Sequence, residues 1–298
     1  MREKIQWASL LILGSFLTAT IYIDIKVSSG TLSSLGLAFL RLFWASVGIL
    51  IFQLISKRSF AVELVDLLPL GLLGIFGQGI PVLLVIIATR MTDSAVSSLF
   101  TNTSPLWALL LCFFLKREKL SWVKVIGIML GIVGIIFVLF FHANKSVLFS
   151  LSPTVTLGLI AAVGAAMGFA SFNVFGGRFG KKYGALKVNL YSFFIATFFS
   201  LPFVAFFTGF SFEEFFSMHS LLVGMLAGVF ATALPRIIQI SALKHFSASV
   251  VTMFFLLVPP FATLFEILFF HSSFSIYFVF GGLLSLVGIY LTQWGKKA

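Results

Sequence analysis

The chain has 298 residues, of which 60% are hydrophobic and 10% charged, whereas an ordinary soluble domain carries about 25% charged residues. A water-soluble fold of this composition would expose large apolar patches, and the short polar gaps between apolar runs leave no room for a soluble catalytic domain, so the chain reads as an all-helical integral membrane protein. The net charge of +11 would suit nucleic acid in a soluble chain, but here the bases punctuate apolar runs, so the lipid bilayer and not nucleic acid is the expected partner.

A window of about 19 residues predicts spans over 7–25, 35–56, 67–88, 94–115, 121–142, 155–176, 188–208, 220–242, 248–270 and 275–294. These runs are about twice the length of a barrel strand, and backbone groups in lipid must be satisfied within the element, so ten transmembrane helices are expected. Arg2 and Lys4 precede the first run as in a signal peptide, but the run is longer than a signal core and is read as part of the mature chain. Basic residues set the orientation. With the N-terminus cytoplasmic, that side receives Arg2, Lys4, Lys57, Arg58, Lys116, Arg117, Lys119, Arg178, Lys181, Lys182, Lys187, Lys244, Lys296 and Lys297, against Lys26, Arg90 and Lys145 outside. Both termini are therefore expected in the cytoplasm.

Sliding the sequence along itself by 154 residues pairs Gly14 with Gly168, Gly74 with Gly228, Pro81 with Pro235, Pro105 with Pro259, Gly127 with Gly281 and Gly134 with Gly288. Glycines and prolines in one constant register indicate a duplication. The first repeat covers 1–150 with spans one to five, and the second covers 151–298 with spans six to ten. An odd number of spans per repeat makes the repeats inverted, a recurring plan of secondary transporters. Pro81, Pro105, Pro235 and Pro259 fall in the middle of spans three, four, eight and nine, where each frees a carbonyl and allows a hinge. Gly127 and Gly131, Gly164 and Gly168, and Gly224 and Gly228 are Gly-x-x-x-Gly pairs that let helices approach closely. Packing within one chain is the expected use of these pairs, and the protein is expected to function as a monomer.

The chain resembles the EamA-type transporters of the drug/metabolite transporter superfamily. The resemblance rests on the ten spans in two repeats, Gly14-Ser15-Phe16, Phe39-Leu40-Arg41-Leu42, and the stretch from Ala95 to Pro105 followed by Leu115-Lys116-Arg117-Glu118. Ser272 stands where the second repeat would carry the counterpart of Glu118. The resemblance implies a carrier in the bacterial inner membrane with a central cavity between the halves, working by alternating access on a small polar metabolite. Export of an amino acid or related compound is the first expectation. Import of S-adenosylmethionine or a nucleotide-type metabolite, and a channel, are the alternatives.

Polar groups at membrane depth are costly and therefore informative. Arg41, Arg236 and Glu266 lie deep in spans, with Asp24 near an outer end. At about 1.5 Å per residue, Arg41 and Glu266 fall roughly 7 to 10 Å outside the midplane, and Arg236 a similar distance inside. Arg41 and Glu266 are thus expected to form an ion pair or to serve coupling. Arg236, which aligns with Val82, is expected near Asn173, Glu118 or a substrate carboxylate or phosphate. Ser15, Thr18, Tyr22, Gln78, Asn102, Trp107 and Asn173 complete the expected substrate-binding set, with Trp44 as a further aromatic wall. Asn102 belongs to the polar run Thr101-Asn102-Thr103-Ser104, which a lipid-facing helix would not favour. For each of these groups a fixed structural partner is the competing reading.

Enzyme signatures are absent from the sequence: it has no His-Glu-x-x-His, no nucleophile elbow and no metal-ligand cluster. Cys112 is the one cysteine, which leaves neither a disulfide framework nor a Cys-rich metal site. The segment Gly176 to Lys182, read as a cytoplasmic loop, lacks the P-loop spacing. No cofactor and no catalytic activity are expected.

Overall fold

The computed structural model describes residues 2–28, 32–92, 97, 100–116, 121–140, 152–207, 217–270 and part of 280–291. Among the described residues every regular element is helical. Helix α1 (Arg2–Ala19) turns at Thr20 into α2 (Ile21–Val27), and α3 (Ser34–Ile55) follows, capped by Ser33, whose hydroxyl accepts from the Gly36 amide. Then come α4 (Leu64–Gly74), a π-helical stretch Ile75–Gly79 and α5 (Ile80–Met91). The first half ends in α6 (Ser104–Phe114) and α7 (Trp122–Phe140). The second half holds α8 (Pro153–Tyr183), α9 (Ala185–Phe207), α10 (Met218–Met225), a second π-helical stretch Leu226–Ala233 and α11 (Leu234–Ala242). Helix α12 (Ala248–Phe254), a 3-10 turn Phe255–Leu257 and α13 (Val258–Phe270) follow.

Among the described residues seven continuous helical runs are long and apolar enough to cross a membrane. This is fewer than the ten spans expected. The fourth expected span is broken by a turn at Asn102 and Thr103, which leaves α6 at 11 residues. Helix α6 and the Trp122–Gly134 part of α7 are apolar but shorter than a full span. The tenth lies largely outside the described residues, as does the expected repeat boundary at 150/151.

The segment from Gly176 to Lys182 is helix, not loop. Helix α8 runs 31 residues to Tyr183 and stops at Gly184, whose φ of 82° lies in the left-handed region open to glycine. Lys181 and Lys182 in its last turn suit the negative end of the helix dipole. Gly176, Gly177 and Gly180 keep this extension close to Ile240 and Leu243 of the α11 region: a Cβ at Gly180 would lie 2.6 Å from Ile240 Cγ2.

The prolines expected to be hinges sit at breaks of the α-helical ladder. Pro81 and Pro235 are each the second residue of the helix after a π stretch. The stretches close with matching bonds, the Ile80 amide to the Ile75 carbonyl and the Leu234 amide to the Val229 carbonyl. Donors and acceptors of these bonds keep the 154-residue register of the sequence. Pro105 follows the turn at Asn102 and Thr103, and Pro259 follows the 3-10 turn. A proline has no amide to donate and crowds the preceding turn, which favours such local unwinding over an even α-helix.

The halves interleave. Helix α3 packs on α9 and on the second π stretch, α8 packs on α5 and α6, and α1 packs on α11 and α13. Small residues permit the closest approaches. A Cβ at Gly74 would lie 2.5 Å from the Ser192 carbonyl oxygen, and one at Gly228 would lie 2.7 Å from the Arg41 carbonyl oxygen. Gly224 meets Leu40 and Trp44, Gly164 meets Leu84, Gly168 meets Pro81, and Gly288 lies against Gly127 and Gly131. All three Gly-x-x-x-Gly pairs are thus occupied within the chain.

At one end of the bundle, Lys182 Nζ lies 2.7 Å from both Glu63 Oε2 and Asp66 Oδ2. Tyr183 donates to Asp66, Lys187 donates to the Ala61 carbonyl, and Tyr191 donates to the Phe60 carbonyl. His245, which follows α11, stacks on Trp7 of α1, with ring centroids 5.1 Å apart. Exposed ion pairs contribute little to stability. Lys182→Met is therefore expected to leave the melting temperature of the purified protein nearly unchanged, measurable by intrinsic fluorescence on heating.

Candidate functional site: a two-arginine cavity

A cavity with about 760 Å³ of empty space, its mouth included, lies where α1, α3, α6, α8, the second π stretch and α11 meet. Arg41 and Arg236 both line it, together with Thr18, Asn102, Asn173, Thr232, Gln239, Thr252, Phe169 and Phe255. The sequence had set the two arginines on opposite sides of the midplane. They share this one cavity, since long side chains can reach a common space from different depths.

The two guanidinium groups have different surroundings. Arg41 Nε donates to Thr232 Oγ1, and its charge also acts on the Asp24 carboxylate. Thr232 in turn donates to the Ala227 carbonyl at 2.8 Å, a five-residue reach within the π stretch. This chain of contacts anchors Arg41 of α3 to the second half. Arg236 donates from Nη1 to Gln239 Oε1 at 2.7 Å and lies over the rings of Phe169 and Phe172, at 4.7 and 5.4 Å from their centroids. Among the described residues no carboxylate pairs with it. Gln239 lies three positions after Arg236 in α11, one helical turn on, which brings the amide beside the guanidinium. Cation–π contact with two rings recovers part of the cost of removing that charge from water.

Asn173 forms the threshold to a second space. It lines the cavity and also an open basin whose wall carries Arg178, Lys181 and Lys182. Its Nδ2 donates to the Phe169 carbonyl at 3.1 Å, while its Oδ1 is buried without a partner. Thr101 Oγ1, in the cavity wall, is likewise buried without one.

Of the residues singled out in the sequence, Thr18, Asn102, Asn173, Arg236, Arg41 and Pro235 line the cavity. Ser15 does not: it is fully buried and donates to the Leu11 and Phe254 carbonyls, which ties α1 to α12. Trp107 donates to Thr103, the turn residue just before its own helix, at 3.3 Å. Gln78 is buried in the first π stretch, away from the cavity wall, with both amide atoms unpartnered. Trp44 packs on Gly224 and Gly228 instead of walling the cavity. The side chains of Tyr22 and Glu266, and residue Glu118, lie outside what is described, and with them the expected Arg41–Glu266 pair. Thr232, Gln239, Thr252, Phe169 and Phe255 are cavity residues that the sequence reading missed. Among the described residues no group of His, Cys, Asp and Glu is placed to hold a metal ion.

The EamA-like transporter family model matches residues 5–140 and again 156–294. The chain belongs to the EamA-like transporter family. It is accordingly a multi-pass membrane protein of a transporter family. Relatives of this EamA-like protein include the uncharacterized transporter YdfC of Bacillus subtilis, 24% identical over 260 residues, covering 86% of this chain and 80% of the relative. An uncharacterized transporter of Archaeoglobus fulgidus is 24% identical over 284 residues, covering 95% of this chain and 96% of the relative. A solved crystal structure superimposes with a TM-score of 0.82 over 98% of both chains at 17% sequence identity, a likeness of fold.

Proposed function

We propose that this protein is a secondary carrier that moves a small polar metabolite across the plasma (inner) membrane of a bacterium by alternating access. In this reading ten helices form two inverted five-helix repeats, with both termini cytoplasmic, and the carrier works as a monomer without catalysis. The observation that carries the reading is the cavity itself. It holds two arginines and a set of amides and hydroxyls, its walls come from both halves of the chain, and the breaks beside Pro81, Pro105, Pro235 and Pro259 interrupt four helical runs. Interrupted helices around a polar site are how carriers let one bundle move against another. A channel would call for rings of like charge or a filter sequence.

Purified protein in proteoliposomes should show saturable uptake and counterflow, tested with labelled amino acids, hydroxy acids and nucleotides. Non-saturating flux without counterflow would replace the carrier with a channel. Topology has its own measurement in a Cys112→Ala background. Single cysteines at Lys26, Lys145 and Phe210 should react with an impermeant thiol reagent from outside sealed cells, and cysteines at Lys57, Lys181 and Lys297 should not. The reverse pattern would overturn the orientation.

A further inference from the structure

The cavity wall carries two cations, and among its described residues no aspartate or glutamate. Arg41 has other protein contacts, with Thr232 holding its Nε and the Asp24 charge within range. Among the described residues Arg236 makes its side-chain contacts with neutral groups, the Gln239 amide and two phenylalanine rings. A guanidinium offers five N–H donors in a planar fork, and Gln239 takes one through Nη1. The remaining donors suit a carboxylate or phosphoryl group, for which the fork geometry is specific. In the same cavity wall, Asn173 Oδ1 is a buried acceptor without a donor. The Phe169 ring under Arg236 and the Phe255 ring also line the cavity, and these can cover an apolar body.

We propose that the ligand of this cavity is a net-anionic organic molecule, with its carboxylate or phosphoryl group on Arg236, a neutral donor such as a hydroxyl on Asn173 Oδ1, and its apolar part along Phe169 and Phe255. This deepens the carrier reading above and rests on it for the step of transport. The class differs from a zwitterionic amino acid in one group: an ammonium would meet two arginines and no carboxylate in the described wall. The basin on the far side of Asn173 extends the preference outward. Arg178 and Lys181 are exposed on its wall, so they raise the local concentration of anions ahead of the threshold.

The test compares probes with one shared body: phenyllactate (anion with a hydroxyl), phenylalanine (zwitterion) and phenylalaninamide (cation). Binding to the full chain in phosphatidylcholine nanodiscs is measured by calorimetry. Phenyllactate should bind at least about tenfold more tightly than either amine, a difference of about 1.4 kcal/mol. Arg236→Gln should erase that preference, and Arg236→Lys should keep its sign with about tenfold weaker binding, since the charge remains and the fork is lost. If Arg236→Gln fails to fold, Asn173→Asp provides an independent reading. An acid at the threshold should move the preference toward phenylalanine. Arg178→Gln with Lys181→Gln should slow phenyllactate association and flatten its salt dependence, with selectivity unchanged. Equal or tighter binding of the amines, absence of phenyllactate binding, or undiminished phenyllactate binding in Arg236→Gln would each overturn the proposal. An anionic headgroup is the other source of the same chemistry. Displacement of phenyllactate by phosphatidylglycerol in the disc, lost in Arg236→Gln, would assign the site to lipid and overturn the substrate class. Counterflow separates the two readings. Phenyllactate binding without counterflow of any probe removes the carrier and leaves the anion site. Counterflow of phenylalanine that Arg236→Gln leaves intact removes the anion site and leaves the carrier.

Discussion

Gly228→Val should abolish accumulation of folded protein in the membrane, while the same change at Gly14 should be tolerated. A Cβ at Gly228 would stand 2.6 Å from Trp44 Cβ, 2.7 Å from the Arg41 carbonyl oxygen and 2.9 Å from the Ala45 amide nitrogen. Two of these three atoms are backbone and cannot swing aside, so α3 and the second π stretch would have to separate. Overpacking typically costs about 1–3 kcal/mol, and separating these elements also pulls Thr232 from Arg41. The loss should fall at the top of that range, a large share of the stability of any domain. At Gly14 the nearest atoms are the side-chain tips of Phe255 and Ile238, at 3.7 and 3.8 Å, which is ordinary contact. Fluorescence-detected size exclusion of tagged variants reads both. Normal folded yield for Gly228→Val would mean that this contact does not hold the halves together.

Gly14 and Gly228 also illustrate what the sequence could and could not convey. Their repeat partners were legible, Gly168 for the first and Gly74 for the second, because glycine and proline stand out against an apolar background. Closeness of packing was not legible. Gly168 is pressed on Pro81, with 2.2 Å to Cγ for an added Cβ, whereas its partner Gly14 has space. Repeats share a register, but each sits against the other half's side chains, and those differ.

The cavity was partly legible for a related reason. Arg236, Asn173, Asn102 and Thr18 stand out in the sequence as polar groups in apolar runs, and they line it. Polarity alone, however, does not say which way a side chain faces. Ser15 is equally polar and equally deep, but its hydroxyl is spent on the Leu11 and Phe254 carbonyls. Thr232 and Thr252 do not stand out because a threonine in a helix can satisfy itself on a preceding carbonyl, as both do, so its presence in an apolar run carries little signal. Phe169 and Phe255 were hidden among 39 phenylalanines. The 31-residue reach of α8 was hidden too, since its basic end reads as a loop until Ile240 and Leu243 are seen to cover its glycines.

Arg41→Met should destabilise the protein by about 1–3 kcal/mol, the scale for leaving buried polar groups without their partners, and adding Asp24→Asn should restore part of that loss. Asp24 is buried at 9% exposure, its Oδ2 has no hydrogen-bond partner among the described residues, and the charge of Arg41 is the one that acts on it. Removing Arg41 leaves a carboxylate in low dielectric without a compensating cation, an arrangement that membrane interiors tolerate poorly. It also leaves Thr232 without its donor, although that hydroxyl keeps the Ala227 carbonyl. Neutralising Asp24 in the same chain removes the first penalty and not the second, so recovery should be incomplete. The sequence reading had set Glu266 opposite Arg41, which gives the experiment a third arm. Melting curves of Arg41→Met, Asp24→Asn, Glu266→Gln and the two doubles with Arg41→Met define two cycles. Coupling with Asp24 and additivity with Glu266 would make Asp24 the counter-charge, and the opposite pattern would return that role to Glu266. Additivity in both cycles would mean that Arg41 is held by Thr232 and the cavity alone.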